Sequence, residues 1–530
     1  MEATTRRPLD DNSNPEKPAS GSGLQKGNLN IPQFHLDLLD TTVPSHELDE
    51  ASLAPIIAGS VLNDPERLAD NPATPQALQF GLLAGLSDTP NAGVPELDPR
   101  LLFNVTSPSS TFICGSQGSG KSHTLSCLLE NCLLPSKAGK LPNPLTGVVF
   151  HYDTFISDTQ GSPCEAAFLS SSPDVNVRVL CSPTNIRSIR ASIPPGTYSR
   201  FKIPVDPLQI DETDLNTKRM MDLMVVGQDE GPIPLYMHTV QRILREMRIA
   251  QQQAGSQFNY NEFKQKILGA NLTPGQLEPL KQRLDTLESF MPQAQTISAS
   301  VRKKRTILPK NGGSKWNPVA GRLTIVDLSC PCISPDTACS LFNICLGIFL
   351  EQETSVGRVV ALDEAHKYMT QSGESRGFTE TLLSVVRLQR HLAARVIIST
   401  QEPTISPALL NLCSVTIVHR FTSPEWLRML HHHLAAAADD PFAKKGGANN
   451  NEDGTGSKVG DRVSLFNRIV GLRVGEALLF APSAVVGVLK GDDNDGKQSG
   501  EGLLRLGSEY LVVKIRKRIT DDGGMSVLAL

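Results

Sequence analysis

The most constraining stretch of this 530-residue sequence is GSQGSGKS, Gly115 to Ser122. It has the form G-x-x-x-x-G-K-[ST], a tight turn that presents backbone amides to phosphate oxygens. Its flanks supply the context such a turn needs. A short apolar run, Thr111-Phe112-Ile113-Cys114, precedes it, and Leu125, Leu128, Leu129 and Cys132 follow at spacings of three and four. That order predicts strand, glycine-rich turn, helix. Gly115, Gly118 and Gly120 let the chain wrap, and the loop amides gather at a helix N-terminus, where an anion is favoured. The candidate phosphate-contacting residues are Gly115, Ser116, Gln117, Gly118, Ser119, Gly120, Lys121, Ser122 and His123. Lys121 is placed to reach β and γ phosphates, and the Ser122 hydroxyl to ligate Mg²⁺. The stretch predicts a nucleotide site.

Bulk properties narrow the remaining possibilities. A formal net charge of −4 gives no global basic field, so contact with nucleic acid requires a local basic channel. The ten cysteines are scattered, and Cys114, Cys127, Cys132 and Cys345 sit in apolar runs. Cys330-Pro331-Cys332 is too tight for the usual CxxC zinc spacing and lacks a matching second half. Buried free thiols in a reducing compartment are the expectation. No N-terminal apolar segment resembles a signal peptide and no apolar run is long enough for a bilayer. These features predict an intracellular protein of cytoplasm or nucleus, with no membrane partner.

Along the chain, residues 1–30 are polar and rich in Pro, Ser, Gly and Asn, which predicts disorder. Residues 31–100 form an N-terminal extension in which LAPIIAGSVL and ALQFGLLAGL read as short helices. The first part of the core spans 101–214, with strands at 145–153 and 175–181. A helical insertion and linker occupies 215–320. Met237, Val240, Leu244 and Met247 make one apolar stripe there, and Leu277, Leu280, Leu284, Leu287 and Met291 another. Both are expected to be packing faces. The linker carries a basic tetrad, Arg302-Lys303-Lys304-Arg305, which reads as solvated surface, a nuclear localisation patch or a DNA-facing loop. The second part of the core, 321–435, alternates strands at 322–327, 358–363, 394–401 and 414–419 with helices at 341–352 and 376–392. Residues 436–460 form a low-complexity loop, and 461–530 add strands that complete the core. The predicted fold class is α/β, a mainly parallel sheet interrupted by a helical insertion.

The second half of the site lies in VVALDEAHKY, 359–368, an apolar strand ending in Asp363-Glu364. An acid at that position beside the phosphate loop holds Mg²⁺, directly or through water, and the next glutamate polarises an attacking water. In Ile397-Ile398-Ser399-Thr400-Gln401, the glutamine at the strand end is placed to contact the γ phosphate or the water.

The series GSQGSGKS, GRLTIVDLS, VVALDEAHKY, RLQRHLAARVIISTQEP and GEALLFAP resembles the HerA/FtsK superfamily of P-loop ATPases, nearest its HerA branch. The resemblance spans residues 100 to 485 in the family's order. It implies a RecA-like core, ATP with Mg²⁺ as cofactors, and a homo-oligomer, a hexameric ring around double-stranded DNA. By this resemblance Lys121 and Ser122 are the phosphate-loop pair, Asp363 and Glu364 the metal-binding and catalytic acids, and Gln401 the sensor. Arg390 takes the place of a trans-acting arginine finger, with Arg387 one helical turn earlier as substitute. HerA proteins open with a small β-barrel, whereas residues 1–100 here are rich in proline and poor in alternating strands. Two functional classes remain open: a ring motor acting on DNA, and a nucleotide-dependent switch or scaffold that moves nothing. The letters DEAH also mark a helicase class, but the long separation of Lys121 from Asp363 and the short remainder after Gln401 argue against it.

Overall fold

A computed structural model describes residues 52–62, 78–87, 98–154, 161–190, 197–224, 235–296, 312–370, 372–433, 465–489 and 502–523. The polar segment 1–30, the tetrad Arg302–Arg305 and the low-complexity segment 436–460 lie outside the described residues.

The strands of the first half are β1 (Ile56–Ala58), β2 (Phe80–Leu86), β3 (Arg100–Asn104), β4 (Ser110–Cys114), β5 (Gly139–Lys140), β6 (Thr146–His151), β7 (Asn176–Cys181) and β8 (Val205–Pro207). Those of the second half are β9 (Arg322–Asp327), β10 (Arg358–Leu362), β11 (Ala394–Thr400), β12 (Val415–Val418), β13 (Glu476–Phe480), β14 (Val485–Leu489), β15 (Gly502–Arg505) and β16 (Leu511–Ile515). They form one sheet in the order β15-β14-β1-β3-β2-β16-β13-β12-β4-β11-β10-β6-β9-β7-β8, with β5 paired to β2. Every pairing from β12 to β8 is parallel. This is the predicted α/β core.

Parallel strands are covered on both faces, which is why β4, β6, β10 and β11 are buried along their whole length. Alternate residues divide between the two faces. Phe112, Val148, Phe150, Val360, Leu362, Val396 and Ile398 join one core, and Ile113, Val149, Val359, Ala361 and Ile397 the other. The first face receives the helix Pro335–Glu351, started by the Ser334 side chain, which accepts from the Thr337 amide. It also receives the helix Gly373–Arg387 and the insertion helices Thr217–Met224, Leu235–Ala254, Tyr260–Leu268 and Pro274–Ser289. Met237, Val240, Leu244 and Met247 are buried there, as are Leu280, Leu284, Leu287 and Met291, with Leu277 half-buried against them. The second face receives the helix Lys121–Leu133 that follows the glycine-rich loop.

The N-terminal region corrects one expectation. ALQFGLLAGL supplies strand β2, and LAPIIAGSVL supplies β1 followed by a single helical turn, Gly59–Leu62. Seven residues of β2 reach β3 on one side and the C-terminal β16 on the other, so long-range pairing overrides the helical reading of an apolar run. β1 likewise pairs with β3 and with β14. Residues on both sides of the central core thus build a mostly antiparallel extension of the same sheet.

The segment after β16 straps this extension to the loop helix. Glu130 has no exposed side-chain surface; it accepts from the Arg516 guanidinium at 2.7 Å and from the Thr520 amide and hydroxyl at 2.9 and 2.6 Å. These donors outweigh burial and hold its carboxyl below the usual range. Arg516 also reaches the Leu82 carbonyl at 2.7 Å and Asn131 Oδ1 at 3.0 Å. Removing one member of a buried ion pair strands the other, so Arg516→Ala is expected to cost about 3 kcal/mol. Chemical denaturation of the whole chain checks this, and a change in midpoint within error of zero would contradict it.

Candidate functional site

The register of the parallel strands assembles the site. Cys114 of β4 lies opposite Thr400 of β11, and Leu362 of β10 opposite Ile398. The residues just beyond, Gly115, Gln401, Asp363 and Glu364, therefore emerge together at the carboxyl edge of three adjacent strands. Ligands of open α/β sheets bind at that edge.

The loop itself is shaped from both ends. Gly115 has φ 152°, and a Cβ there would meet the Cβ of His419 at 2.7 Å and Ser119 Oγ at 2.8 Å. Only glycine fits. Gly120, at φ 111°, starts the helix Lys121–Leu133 from the left-handed region. The Ser116 amide donates to the Arg420 carbonyl at 2.9 Å, and the Ser119 hydroxyl to the Ser116 carbonyl at 2.7 Å. Gln117 and Gly118 form the exposed tip, and Ser122 is half-buried beside it. Lys121 is only 4% exposed; its ammonium donates to the Ser116 carbonyl at 3.0 Å. Burial lowers its pKa, with the Glu364 and Asp363 carboxylates opposing that shift. The His123 ring turns away from the loop, to the Arg516 carbonyl at 2.8 Å and Asp522 at 3.3 Å.

The acidic pair is divided in environment. Asp363 is buried, and its Oδ2 accepts from His151 Nδ1 at 3.0 Å and from the Cys164 thiol at 3.5 Å. Burial opposes charge on both ring and carboxylate, yet the pair prevails: Asp363 is held below the usual carboxylate range and His151 pushed well above the ordinary imidazole value. The Cys164 thiol, by contrast, is pushed up to about 12 by burial. Asp363 Oδ1 is buried without a protein partner among the described residues. An unpartnered buried carboxylate oxygen suits a hard cation, so Asp363, with the nearby hydroxyl of Ser122, fits Mg²⁺. Glu364 sits in the left-handed region at φ 48°, and its Oε2 accepts from the Gln401 side-chain amide at 3.1 Å. His366 Nδ1 accepts from the Gln401 backbone amide at 3.4 Å, which leaves Nε2 to carry the proton, 3.5 Å from Glu364 Oε2.

The two arginines stand apart from this cluster. Arg387 ends the helix Gly373–Arg387 and Arg390 lies in the turn after it. Both are exposed, and Leu388 between them is 50% exposed.

Three histidines have roles that sequence reasoning did not assign: His151, His366 and His419. His419 follows β12 and is fully buried beside the loop. Its Nδ1 donates to the Glu476 carbonyl at 3.0 Å, so Nε2 is bare and pairs with the Thr124 hydroxyl at 2.9 Å. Burial pulls its pKa down to about 4 from 6.5. Between those values the unfolded chain takes up a proton that the folded chain refuses. The His419 contribution is therefore complete above pH 6.5 and lost as pH falls toward 4, by at most about 1.4 kcal/mol per unit. The difference in unfolding free energy between the wild type and His419→Asn should accordingly shrink from pH 7 to pH 5. A difference independent of pH would exclude a buried neutral ring.

No family model and no curated protein matches the chain. Solved structures do align with it. VirB4 of Thermoanaerobacter pseudethanolicus is 11% identical with a TM-score of 0.42, over 83% of this chain and 96% of that one. The plasmid coupling protein TrwB, solved with the ATP analogue ADPNP, is 11% identical with a TM-score of 0.36, over 78% and 88%. The genome-packaging NTPase B204 of Sulfolobus turreted icosahedral virus 2, solved with AMP, is 14% identical with a TM-score of 0.19, over 30% and 61%. Among the described residues no helix is long and apolar enough to cross a membrane.

Proposed function

We propose that the chain is a Mg²⁺-dependent P-loop ATPase of the HerA/FtsK kind, forming a ring that acts on double-stranded DNA. The observation that carries the ATPase reading is the convergence of Lys121, Asp363, Glu364 and Gln401 at one edge of β4, β10 and β11. Lys121 exchanges its loop carbonyl for phosphate oxygens, with the loop amides other than that of Ser116, which is bonded to Arg420, around them. Mg²⁺, held by the Ser122 hydroxyl and the Asp363 carboxylate, would offset the charge of the phosphate oxygens. Glu364 accepts the proton of the water that attacks the γ phosphorus as the bond to the bridging oxygen breaks. Gln401, already bonded to Glu364, orients that water and links its position to β11. Its partner His366 keeps Glu364 from swinging away when Gln401 turns to the phosphate.

The ring rests on different support. Arg387, Leu388 and Arg390 form an exposed group that serves no partner in their own site among the described residues, as an element offered to a neighbouring subunit would. The motif series resembling HerA supports the same reading. ATPase rate with and without duplex DNA, at low and moderate salt, tests it together with solution mass in ATP. A hexamer whose rate rises with DNA, and rises less as salt increases, is the expected result. A monomer or dimer with a rate indifferent to DNA would replace the motor with a nucleotide-dependent switch.

A further inference from the structure

Behind the acidic pair lies a cluster that ATP hydrolysis does not use in full. A ring nitrogen of His151, Cys164 Sγ and a carboxylate oxygen of Asp363 lie within 4.8 Å of one another, and all three residues are buried. They arrive from separate elements: the end of β6, the turn before the short helix Glu165–Ser171, and the end of β10. We propose that this trio is a binding site for a zinc-class divalent cation, distinct from the Mg²⁺ position, and that its occupancy inhibits the enzyme.

Two of the three ligand separations are compatible with it. Zinc bonds of about 2.0 Å to N or O and about 2.3 Å to S place tetrahedral ligands roughly 3.3 Å apart for N and O, and roughly 3.5 Å apart for S and O. The structure has 3.0 Å from His151 Nδ1 to Asp363 Oδ2 and 3.5 Å from Cys164 Sγ to the same oxygen. A small outward shift of the ring admits the ion. The donor set of imidazole, thiolate and carboxylate selects zinc over Mg²⁺ or Ca²⁺, which take oxygen ligands.

A second observation points the same way. His151 Nε2 and Asp363 Oδ1, the second polar atoms of two of the ligands, are both buried without protein partners among the described residues, so hydrogen bonds within the protein satisfy these side chains only in part. The ligands are also held from behind. The Cys164 amide donates to the Tyr198 hydroxyl at 3.0 Å, and that hydroxyl donates to Asp327 Oδ2 at 2.6 Å. Such outer partners fix first ligands in place. Binding displaces the Nδ1 and Sγ protons to solvent, leaves the fourth position to water, and gives the three ligands and the ion no net charge. The ion then occupies Oδ2 and sets a second dication beside the Mg²⁺ held through Oδ1. The inhibition, though not the binding, rests on the function proposed above.

The test uses the metal-stripped full chain in a non-chelating phosphine reductant, with Co²⁺ as spectroscopic probe and Zn²⁺ as competitor. The expected result is a thiolate-to-cobalt band that saturates at one ion per chain, is displaced by Zn²⁺, survives Cys332→Ser and is lost in Cys164→Ser. Zinc K-edge absorption of the wild-type chain, which needs no variant to fold, should show one sulfur among nitrogen and oxygen ligands. A saturable band retained in Cys164→Ser, no saturable band, or a sulfur-free zinc shell would overturn the site. Saturating Zn²⁺ should slow wild-type turnover about tenfold or more, and the half-inhibitory Zn²⁺ should rise about tenfold or more in Cys164→Ser. Stoichiometric zinc with undiminished turnover would leave the site standing, overturn the inhibition and count against Asp363 as the Mg²⁺ ligand.

Discussion

Glu364→Gln is expected to bind ATP with near wild-type affinity and to lose about 10²–10⁴ in turnover. The amide keeps the size of the side chain and can still pair with Gln401, which meets Glu364 Oε2 at 3.1 Å, but it cannot take the proton of the attacking water. The neighbouring Asp363 keeps its partners His151 and Cys164, so the proposed Mg²⁺ position should be undisturbed. Lys121→Ala should behave oppositely. It removes the one ammonium buried in the loop, whose charge-assisted bonds to phosphate are worth about 1.5–3 kcal/mol each, and so weakens ATP binding roughly ten- to a hundredfold. Titration with a fluorescent ATP analogue separates binding from single-turnover hydrolysis. Equal loss of binding in the two variants would overturn the division of labour between loop and acid.

Both halves of that site were legible because each is local. The loop needs four glycine and lysine positions within eight residues, and the acids need only an apolar run that stops at Asp363-Glu364. Strands buried on both faces, such as Arg358–Leu362 and Ala394–Thr400, read as unbroken apolar runs and were placed to within a residue or so. What escaped depends on distant neighbours. Phe80–Leu86 becomes a strand because β3 and the far C-terminal β16 offer edges to it, and nothing within FGLLAGL carries that information. His419 matters through Thr124 and Glu476, and His151 through Asp363, each distant in sequence. One signal is available: a polar residue at or just after the carboxyl end of a buried parallel strand sits on the ligand-binding edge, as His151 at the end of β6 and His419 after β12 both do. His366 lies two residues after Glu364, but only the fold brings it back to that carboxylate and to the Gln401 amide.

Arg390→Ala should fall in turnover by about 10³ or more if the arginine completes a neighbour's active site. Its position makes a contribution to its own site unnecessary: it is exposed, in the turn beyond the helix Gly373–Arg387, while the acids are served by His151, Cys164, Gln401 and His366. The variants can therefore complement one another. In a ring assembled from equal parts Arg390→Ala and Glu364→Gln, a site with an intact Glu364 meets an intact Arg390 whenever the two kinds of subunit adjoin in the productive order. Random mixing makes about a quarter of the interfaces productive, so activity should recover to roughly that fraction of wild type, from two nearly inactive parents. The same mixture with Arg387→Ala identifies which arginine acts, since only the finger gives rescue. Proportional rescue by one arginine would establish a composite site and with it the ring. Absence of rescue at any ratio, for either arginine, would return the exposed Arg387-Leu388-Arg390 group to ordinary surface and leave each subunit hydrolysing ATP on its own.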